Sequence, residues 1–184
     1  SAALDSFYEL LLNSGKDLPM IKALTIPEAK NKNQSTQIKD FFEYCYSVLE
    51  PWDGPAAIAA YGKDWVIAGM DRNGFRPMRY TITKNNILFV GSETGMVHID
   101  NADVRQKGHL GPGQIIGVNL KEGKFFSPDD IKNDLVSRHP YHKWLKKTKK
   151  FVVKNGIKQN DFFYFKEDDL KKRQMAAGWN IEDL

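Results

Sequence analysis

The residues best suited to chemistry lie together in one short stretch, residues 71–80. Its three arginines are Arg72, Arg76 and Arg79. Guanidinium groups so close together can bind a carboxylate or a phosphate through paired hydrogen bonds. In an alternative interpretation, Asp71 and Glu93 neutralise these arginines inside the fold. The residue types fit an anion site and a set of internal ion pairs equally well.

The same stretch carries strong turn signals. The pair Asn73-Gly74 lies between two apolar runs, residues 65–70 and 87–90. Glycine adopts a positive φ at little cost, and Asn-Gly between two strands is typical of a β-hairpin. Arg76 precedes Pro77, which biases it towards an extended backbone. The stretch is therefore predicted to be the turn of a hairpin.

Cys45 is the only thiol in the chain. A nucleophilic cysteine needs a lowered pKa, which a helix N-terminus or a cationic neighbour provides. Cys45 instead falls in the middle of a predicted helix, on its apolar stripe and among aromatic residues. We expect a buried core cysteine, and a single cysteine also excludes an internal disulfide framework and suits a reducing compartment.

Histidine spacing argues against a metal centre. Of the four histidines, only His139 and His142 are close in sequence. A zinc site needs three or four ligands, and the chain offers no second pair of cysteines or histidines. We therefore predict no metal site, and no glycine-rich phosphate-binding motif is present.

The net charge of +4 is concentrated late in the chain, in a lysine-rich stretch between residues 143 and 158. Trp144, Leu145 and Phe151 recur there at helical spacing. This pattern favours an amphipathic helix with a solvated lysine face over a nucleic-acid contact.

The periodicity predicts helices first, then consecutive strands, then helices again. Such an order is typical of an α+β fold with a mainly antiparallel sheet rather than of alternating βαβ units. Helices are predicted over residues 2–13, 38–49, 129–137 and 167–178, and a short helix or turn is predicted over residues 18–24. Strands are predicted over residues 56–61, 65–70, 79–83, 87–91, 104–110, 114–120 and 124–127.

The length of 184 residues suggests one domain with an appended tail, joined by a connector over residues 155–166. No apolar run approaches the roughly 20 residues of a membrane span. The N-terminus lacks the pattern of a signal peptide and does not begin with methionine. A processed or truncated product is therefore expected.

Three further stretches complete a recognisable order: residues 50–56, Ser92-Glu93 and residues 108–113. Residues 50–56 include Trp52 and Asp53. They are predicted to form either a structural turn that leads into the first strand or the wall of a cleft. Together with residues 71–80, these stretches resemble the large subunit of glutamate synthase, in its class II glutamine amidotransferase domain of the N-terminal-nucleophile type. The order and spacing agree over most of the chain.

The resemblance implies part of an Ntn-hydrolase-like αββα sandwich. Residues 1–150 would form the C-terminal part of the amidotransferase domain, and residues 151–184 a connector and helix leading toward the central domain. The activity that the resemblance implies is hydrolysis of glutamine, which would supply ammonia for glutamate formation from 2-oxoglutarate.

The family's catalytic residues do not carry over to this chain. The family uses an N-terminal cysteine nucleophile, an Asn-Gly oxyanion hole, and an arginine and an aspartate that hold glutamine. Position 1 here is Ser1, and Asn73-Gly74 belongs to the predicted hairpin. No catalytic or substrate-binding residue is therefore expected. The candidates for supporting the glutaminase cavity are Asp71, Arg72, Asn73, Gly74, Arg76 and Glu93.

The resemblance also implies partners and cofactors outside this chain. FMN and an iron–sulfur cluster would belong to the parent enzyme, as would glutamine binding, and the main partner would be the rest of the polypeptide. No membrane or nucleic-acid partner is expected, and the location would be the cytoplasm or a plastid stroma. The alternatives are a non-catalytic binding module using the lysine-rich helix and a degenerate glutamine-binding protein.

Overall fold

A computed structural model describes residues 2–29, 34–148 and 166–178. The chain divides into two compact units, residues 1–148 and residues 149–184. The predicted connector over residues 155–166 and the end of the lysine-rich stretch lie almost entirely outside the described residues.

The first unit has the predicted order of helices, strands and helices. Three helices come first, seven strands and one 3-10 turn (Asn101–Asp103) follow, and two helices end the unit. The helices are α1 (Ala2–Asn13), α2 (Leu18–Thr25), α3 (Thr36–Val48), α4 (Pro128–Ser137) and α5 (Tyr141–Lys147). The strands are β1 (Ala57–Gly62), β2 (Trp65–Met70), β3 (Arg79–Thr83), β4 (Leu88–Gly91), β5 (Val104–His109), β6 (Ile115–Asn119) and β7 (Lys124–Phe126). The α+β prediction is confirmed.

Side-chain caps explain where several helices begin. The carboxylate of Asp17 accepts the backbone N–H of Met20 at the start of α2. At the start of α4, Ser127 and Asp130 form a reciprocal capping box, in which each side chain accepts the other residue's backbone N–H. Such caps satisfy N–H groups that have no partner within the helix.

The seven strands form two antiparallel sheets. The first sheet has the order β1-β2-β6-β7 and the second has the order β4-β3-β5. Residues 71–80 therefore lead from β2 of the first sheet to β3 of the second. The predicted hairpin is wrong, because β2 pairs with β1 and β6 while β3 pairs with β4 and β5.

The two faces of the first sheet meet different layers. Trp65, Ile67 and Ile115 on one face join the helices in the larger apolar cluster. Ala68 and Ile116 share the opposite face because they are paired across β2 and β6, and they pack in a second cluster with residues of the second sheet. A helix layer and a second sheet thus enclose the first sheet, consistent with the class II amidotransferase Ntn-hydrolase-like fold.

The second sheet is polar on its outer face. Tyr80 and Val90 lie opposite each other on the inner face and pack against the second cluster. Arg79, Lys107 and His109 alternate with such inward residues and are exposed. Arg79 and Lys107 therefore place cationic side chains on the outer face of this sheet.

The core confirms two expectations about individual residues. Cys45 is fully buried, between helices in the larger cluster. The ring of Trp52 stacks on Phe7 with ring centroids 6.1 Å apart. The backbone N–H of Trp52 donates to the backbone carbonyl of Thr25 at 2.8 Å. Trp52 thus anchors the turn before β1.

The lysine-rich stretch is helical only at its beginning within the described residues. Helix α5 ends at Lys147, with Thr148 as its C-cap. Tyr141 is buried against Phe41, and the lysines of α5 are exposed, as an amphipathic helix requires. In the second unit, α6 (Glu167–Ala176) carries an ion pair between Arg173 and Asp169 at 2.9 Å. No helix among the described residues is long and apolar enough to cross a membrane.

Candidate functional site

Asp71 is the centre of the arginine-rich turn, yet its carboxylate binds backbone rather than arginine. One oxygen, Oδ2, accepts the N–H groups of Asn73, Gly74 and Phe75 at 3.1, 2.8 and 3.3 Å. The other, Oδ1, accepts the N–H of Ala56 at 3.3 Å. The side chain is buried, so these bonds replace the water that a carboxylate would otherwise require.

Hydrogen bonding decides the pKa of Asp71. Burial by itself raises the pKa of the carboxyl group, but the backbone N–H groups of Phe75, Ala56, Arg76 and Asn73 outweigh burial and lower it. The carboxylate is therefore charged at neutral pH and fixes the backbone of residues 71–76, here named the Asp71 turn.

Arg72 forms an ion pair with Asp53, which lies in the earlier motif of residues 50–56. Its Nη2 lies 2.8 Å from Oδ2 of Asp53, and both side chains are partly exposed. Arg72 and Asn73 also line a cavity of about 570 Å³ together with Ala29, Glu43 and Tyr46. The turn thus presents one side of its backbone to the core and two polar side chains to an open cavity.

A second turn packs directly on the first. This second turn comprises residues 111–114 and is here named the Pro112 turn. The backbone N–H of Gly113 donates to the carbonyl of Asp71 at 2.8 Å and so fixes the second turn against the first. Gly74 has a φ of +71°, and a Cβ at this position would lie 2.9 Å from Cγ of Pro112. The close approach of the two turns therefore requires glycine at position 74.

Lys22 of α2 lies beneath both turns and is fully buried. Its Nζ donates to the carbonyl oxygens of Gly113 at 2.8 Å and of Ile26 at 3.1 Å. Burial lowers the pKa of Lys22 to about 7, against the raising influence of Glu28 and Asp71. Our sequence reasoning missed this residue, although a single lysine inside the apolar helix Leu18–Thr25 was a visible signal.

Five of the six predicted cavity-supporting residues lie in the Asp71 turn, and the sixth does not. Asp71 and Gly74 fix its backbone, Arg72 and Asn73 line the cavity, and Arg76 is exposed. Glu93 lines a different cavity of about 320 Å³ on the second sheet. Glu93 belongs to the same ordered set of sequence motifs, but the structure places it apart from the other five residues.

Cys45 has the environment of a core residue rather than of a nucleophile. Burial raises the pKa of its thiol to about 12. At neutral pH the thiol is therefore protonated, whereas the thiolate is the reactive form.

The two neighbouring histidines serve separate contacts. His142 bonds through Nδ1 to Oδ2 of Asp40 at 3.0 Å, and His139 stacks on Trp144 with ring centroids 5.1 Å apart. Across residues 2–29, 34–148 and 166–178, no three His, Cys, Asp or Glu side chains are grouped to hold a metal ion.

The fold and the motif turns define a class of protein. The family model described as glutamine amidotransferases class-II matches residues 1–144, and the chain belongs to this family.

The most similar relatives specify the kind of amidotransferase. The chain is 42% identical over 188 residues to the glutamate synthase (NADPH) large chain of Azospirillum brasilense, and the match covers all of this chain. It is 37% identical to the ferredoxin-dependent glutamate synthase of Cyanidium caldarium and 32% identical to the glutamate synthase (NADPH) large chain of Bacillus subtilis. The chain is thus homologous to glutamate synthase large chains and spans 12% of the length of these relatives.

Proposed function

We propose that this chain is a structural part of the glutaminase unit of a glutamate synthase. That unit would hydrolyse glutamine and supply ammonia for the formation of glutamate from 2-oxoglutarate. Homology along the whole chain supports this proposal, as does the match to the amidotransferase family. The observation that carries the structural role is the Asp71 carboxylate, whose four backbone bonds hold a turn beside an open cavity.

Each candidate residue has a distinct role in this proposal. Asp71 and Gly74 hold the turn, while Arg72 and Asn73 form one wall of the glutaminase cavity. Arg76 and Glu93 would contact polypeptide that lies outside this chain. Catalysis itself is assigned to residues elsewhere, since the only cysteine among the 184 residues is the buried Cys45.

The cofactors of glutamate synthase do not fit the side chains present here. An iron–sulfur cluster is held by several cysteine thiolates, and this chain has one cysteine, which is buried and protonated at neutral pH. No glycine-rich phosphate-binding motif offers a place for FMN. We therefore assign the cluster and the flavin to the rest of the polypeptide.

The main partner in this proposal is the remaining polypeptide of the parent enzyme. Residues 1–150 would complete an amidotransferase domain with that polypeptide, and residues 151–184 would lead toward the central domain. The parent enzyme would work in the cytoplasm, or in the plastid stroma of a photosynthetic source.

A labelling experiment tests the proposal. The isolated chain is incubated with glutamine and then with an electrophilic glutamine analogue, and glutamate release and covalent labelling are measured. We expect neither, whereas the full-length polypeptide should show both. Heat released on adding glutamine to the isolated chain in a calorimeter would instead favour the glutamine-binding alternative.

Cys45→Ala in the full-length polypeptide is the matched control. It removes the buried thiol and should leave labelling unchanged, because the proposed nucleophile is another cysteine. Loss of labelling in this variant, or robust glutamine hydrolysis by the isolated chain, would overturn the proposal.

A further inference from the structure

Lys22 is the one lysine in an otherwise apolar helix, and its stem is packed as tightly as a core residue. The side chain crosses β2 at Gly69, where a Cβ would lie 2.9 Å from Cε of Lys22. Glycine at position 69 thus leaves the notch through which the lysine reaches the two turns. The side chain is fully buried, so its amine is removed from bulk water.

The contacts of the Lys22 amine tie three segments together. Ile26 ends α2, and its N–H donates to the carbonyl of Lys22 at 2.8 Å while its own carbonyl accepts from Lys22 Nζ at 3.1 Å. Gly113 accepts from the same Nζ and donates its N–H to Asp71. One nitrogen therefore links the end of α2, the Pro112 turn and, through Gly113, the Asp71 turn.

The number of acceptors matches a neutral amine. Within the part of the chain that the structure describes, Nζ of Lys22 has two hydrogen-bond acceptors, Ile26 and Gly113. A neutral amine has two N–H groups, and an ammonium has three. The two carbonyl oxygens thus satisfy both N–H groups of a neutral amine, whereas a charge on this fully buried side chain would lose its hydration.

The charged groups around Lys22 only partly offset this cost. Glu28 and Asp71 attract a proton on the amine, but both are already engaged. Glu28 pairs with Lys132 of α4 at 2.7 Å, and Asp71 accepts four backbone N–H groups. Burial dominates and lowers the pKa of the amine to about 7.

We propose that Lys22 is a positioning residue whose neutral amine holds the Pro112 turn to the end of α2, and that adding a proton to this amine loosens the two packed turns. The direction follows from linkage: a group that binds its proton more weakly in the closed state favours opening when it is protonated. The turns are then held more tightly as the pH rises through neutrality. This behaviour is a property of the fold and does not depend on the proposed function.

Amide hydrogen exchange of Gly113 measures the hold directly, since this N–H bridges the two turns. In the 184-residue chain, its protection factor, corrected for the intrinsic exchange rate, should rise by up to about tenfold between about pH 6 and about pH 8. Lys22→Met keeps the length of the side chain but cannot bind a proton. Protection of Gly113 in this variant should not depend on pH in that range, whatever its absolute level.

Lys132→Met is the matched control, because it also removes a lysine amine near the Pro112 turn, but one that pairs with the Glu28 carboxylate. It should keep the pH dependence of Gly113 protection. Equal slopes in the wild-type chain and in Lys22→Met, or a flat wild-type profile, would refute the inference.

A second readout covers the case in which Lys22→Met does not fold. In the wild-type chain, with lysine labelled by ¹³C at Cε, the Lys22 signal should titrate near pH 7 because burial lowers the pKa of its amine to about 7. If every lysine signal titrates together near its ordinary range, the neutral-amine assignment is wrong.

Discussion

Asp71 places its two oxygens among N–H groups from two separate segments, Ala56 before β1 and residues 73–75 after β2. A charged acceptor among several donors gives stronger hydrogen bonds than a neutral one. Because the donors belong to the backbone, the carboxylate fixes the path of the chain rather than a neighbouring side chain. The arginines of the motif do not contact this carboxylate: Arg72 pairs with Asp53 beside the cavity, and Arg76 is exposed.

Replacing Asp71 by asparagine should destabilise the fold by about 2–3 kcal/mol, since one oxygen becomes an NH₂ group that faces backbone donors. Urea unfolding at neutral pH measures the change in the free energy of unfolding. Asp53→Asn is the matched control: it breaks a partly exposed ion pair with Arg72, which should cost less than about 1 kcal/mol. Equal losses in the two variants would mean that the backbone bonds of Asp71 carry no special weight.

The lowered pKa of Asp71 also predicts a dependence on pH. The folded state binds the proton more weakly than the unfolded state, so the carboxylate's stabilising contribution is present above the ordinary aspartate pKa of 3.8. This contribution is lost as the pH falls from there through the lowered pKa of the folded state. Relative to the wild-type chain, Asp71→Asn should therefore show a smaller loss of unfolding free energy on acidification in urea titrations, and parallel acid profiles would contradict this expectation.

Sequence reasoning placed Cys45 correctly and missed Lys22, for a physical reason. Cys45 lies on the apolar stripe of α3, which is a local pattern. Burial of a lysine depends on acceptors, and one of the two that Lys22 uses belongs to Gly113, far away along the chain. Only the folded chain brings that acceptor to α2.

At the scale of elements, helix and strand positions followed from periodicity, but the pairing of strands did not. The Asn-Gly signal correctly predicted a positive φ at Gly74. It could not show that β2 would pair with β6 and β3 with β5, because these partners lie more than one strand away in sequence. Turn chemistry describes the turn, whereas long-range packing decides which strands it joins.

Gly113 offers a sharp test of how closely the Pro112 turn is packed. Its φ is +71°, and a Cβ would lie 2.7 Å from the backbone Cα of Glu28, which cannot rotate away. Gly113→Ala should therefore cost the conformational penalty of about 1–2 kcal/mol and a further contribution from displaced backbone. Thermal and urea unfolding measure the loss.

Gly123→Ala serves as the control for that experiment. Gly123 has a similar φ of +61°, and a Cβ there meets nothing within 4 Å. This variant should lose the conformational penalty alone. If both alanine variants lose the same stability, then the Pro112 turn is not packed against Glu28 as tightly as the structure indicates.

At the scale of the whole molecule, β1 forms one end of the first sheet and carries its most exposed apolar residue, Tyr61. One face of β1 carries Ala57, Ala59 and Tyr61. In β2 the same face packs against the second sheet through Ala68 and Met70, but in β1 all three residues are exposed. An edge strand with an open apolar face tends to associate with other chains.

The isolated chain should therefore associate as its concentration rises. Tyr61→Lys should reduce this association without loss of stability, since the side chain is 75% exposed and lysine disfavours pairing at a sheet edge. Phe75→Lys is the control, because Phe75 is similarly exposed, at 67%, but lies on the Asp71 turn. Sedimentation velocity over a range of concentrations measures the effect, and a wild-type chain that stays monomeric throughout would argue for a complete, self-sufficient domain.

The contact between Gly74 and Pro112 couples two motifs that a reader of the sequence would treat as independent. A Cβ at position 74 would lie 2.9 Å from Cγ and 3.2 Å from the backbone Cα of Pro112, and the φ of +71° strains any side chain there. A smaller residue at position 112 relieves the contact with Cγ but not the other two costs. The two positions should consequently vary jointly among related sequences, and a double substitution should be less harmful than the sum of the single ones. A substitution in the Asp71 turn therefore has to be designed together with the sequence of the Pro112 turn.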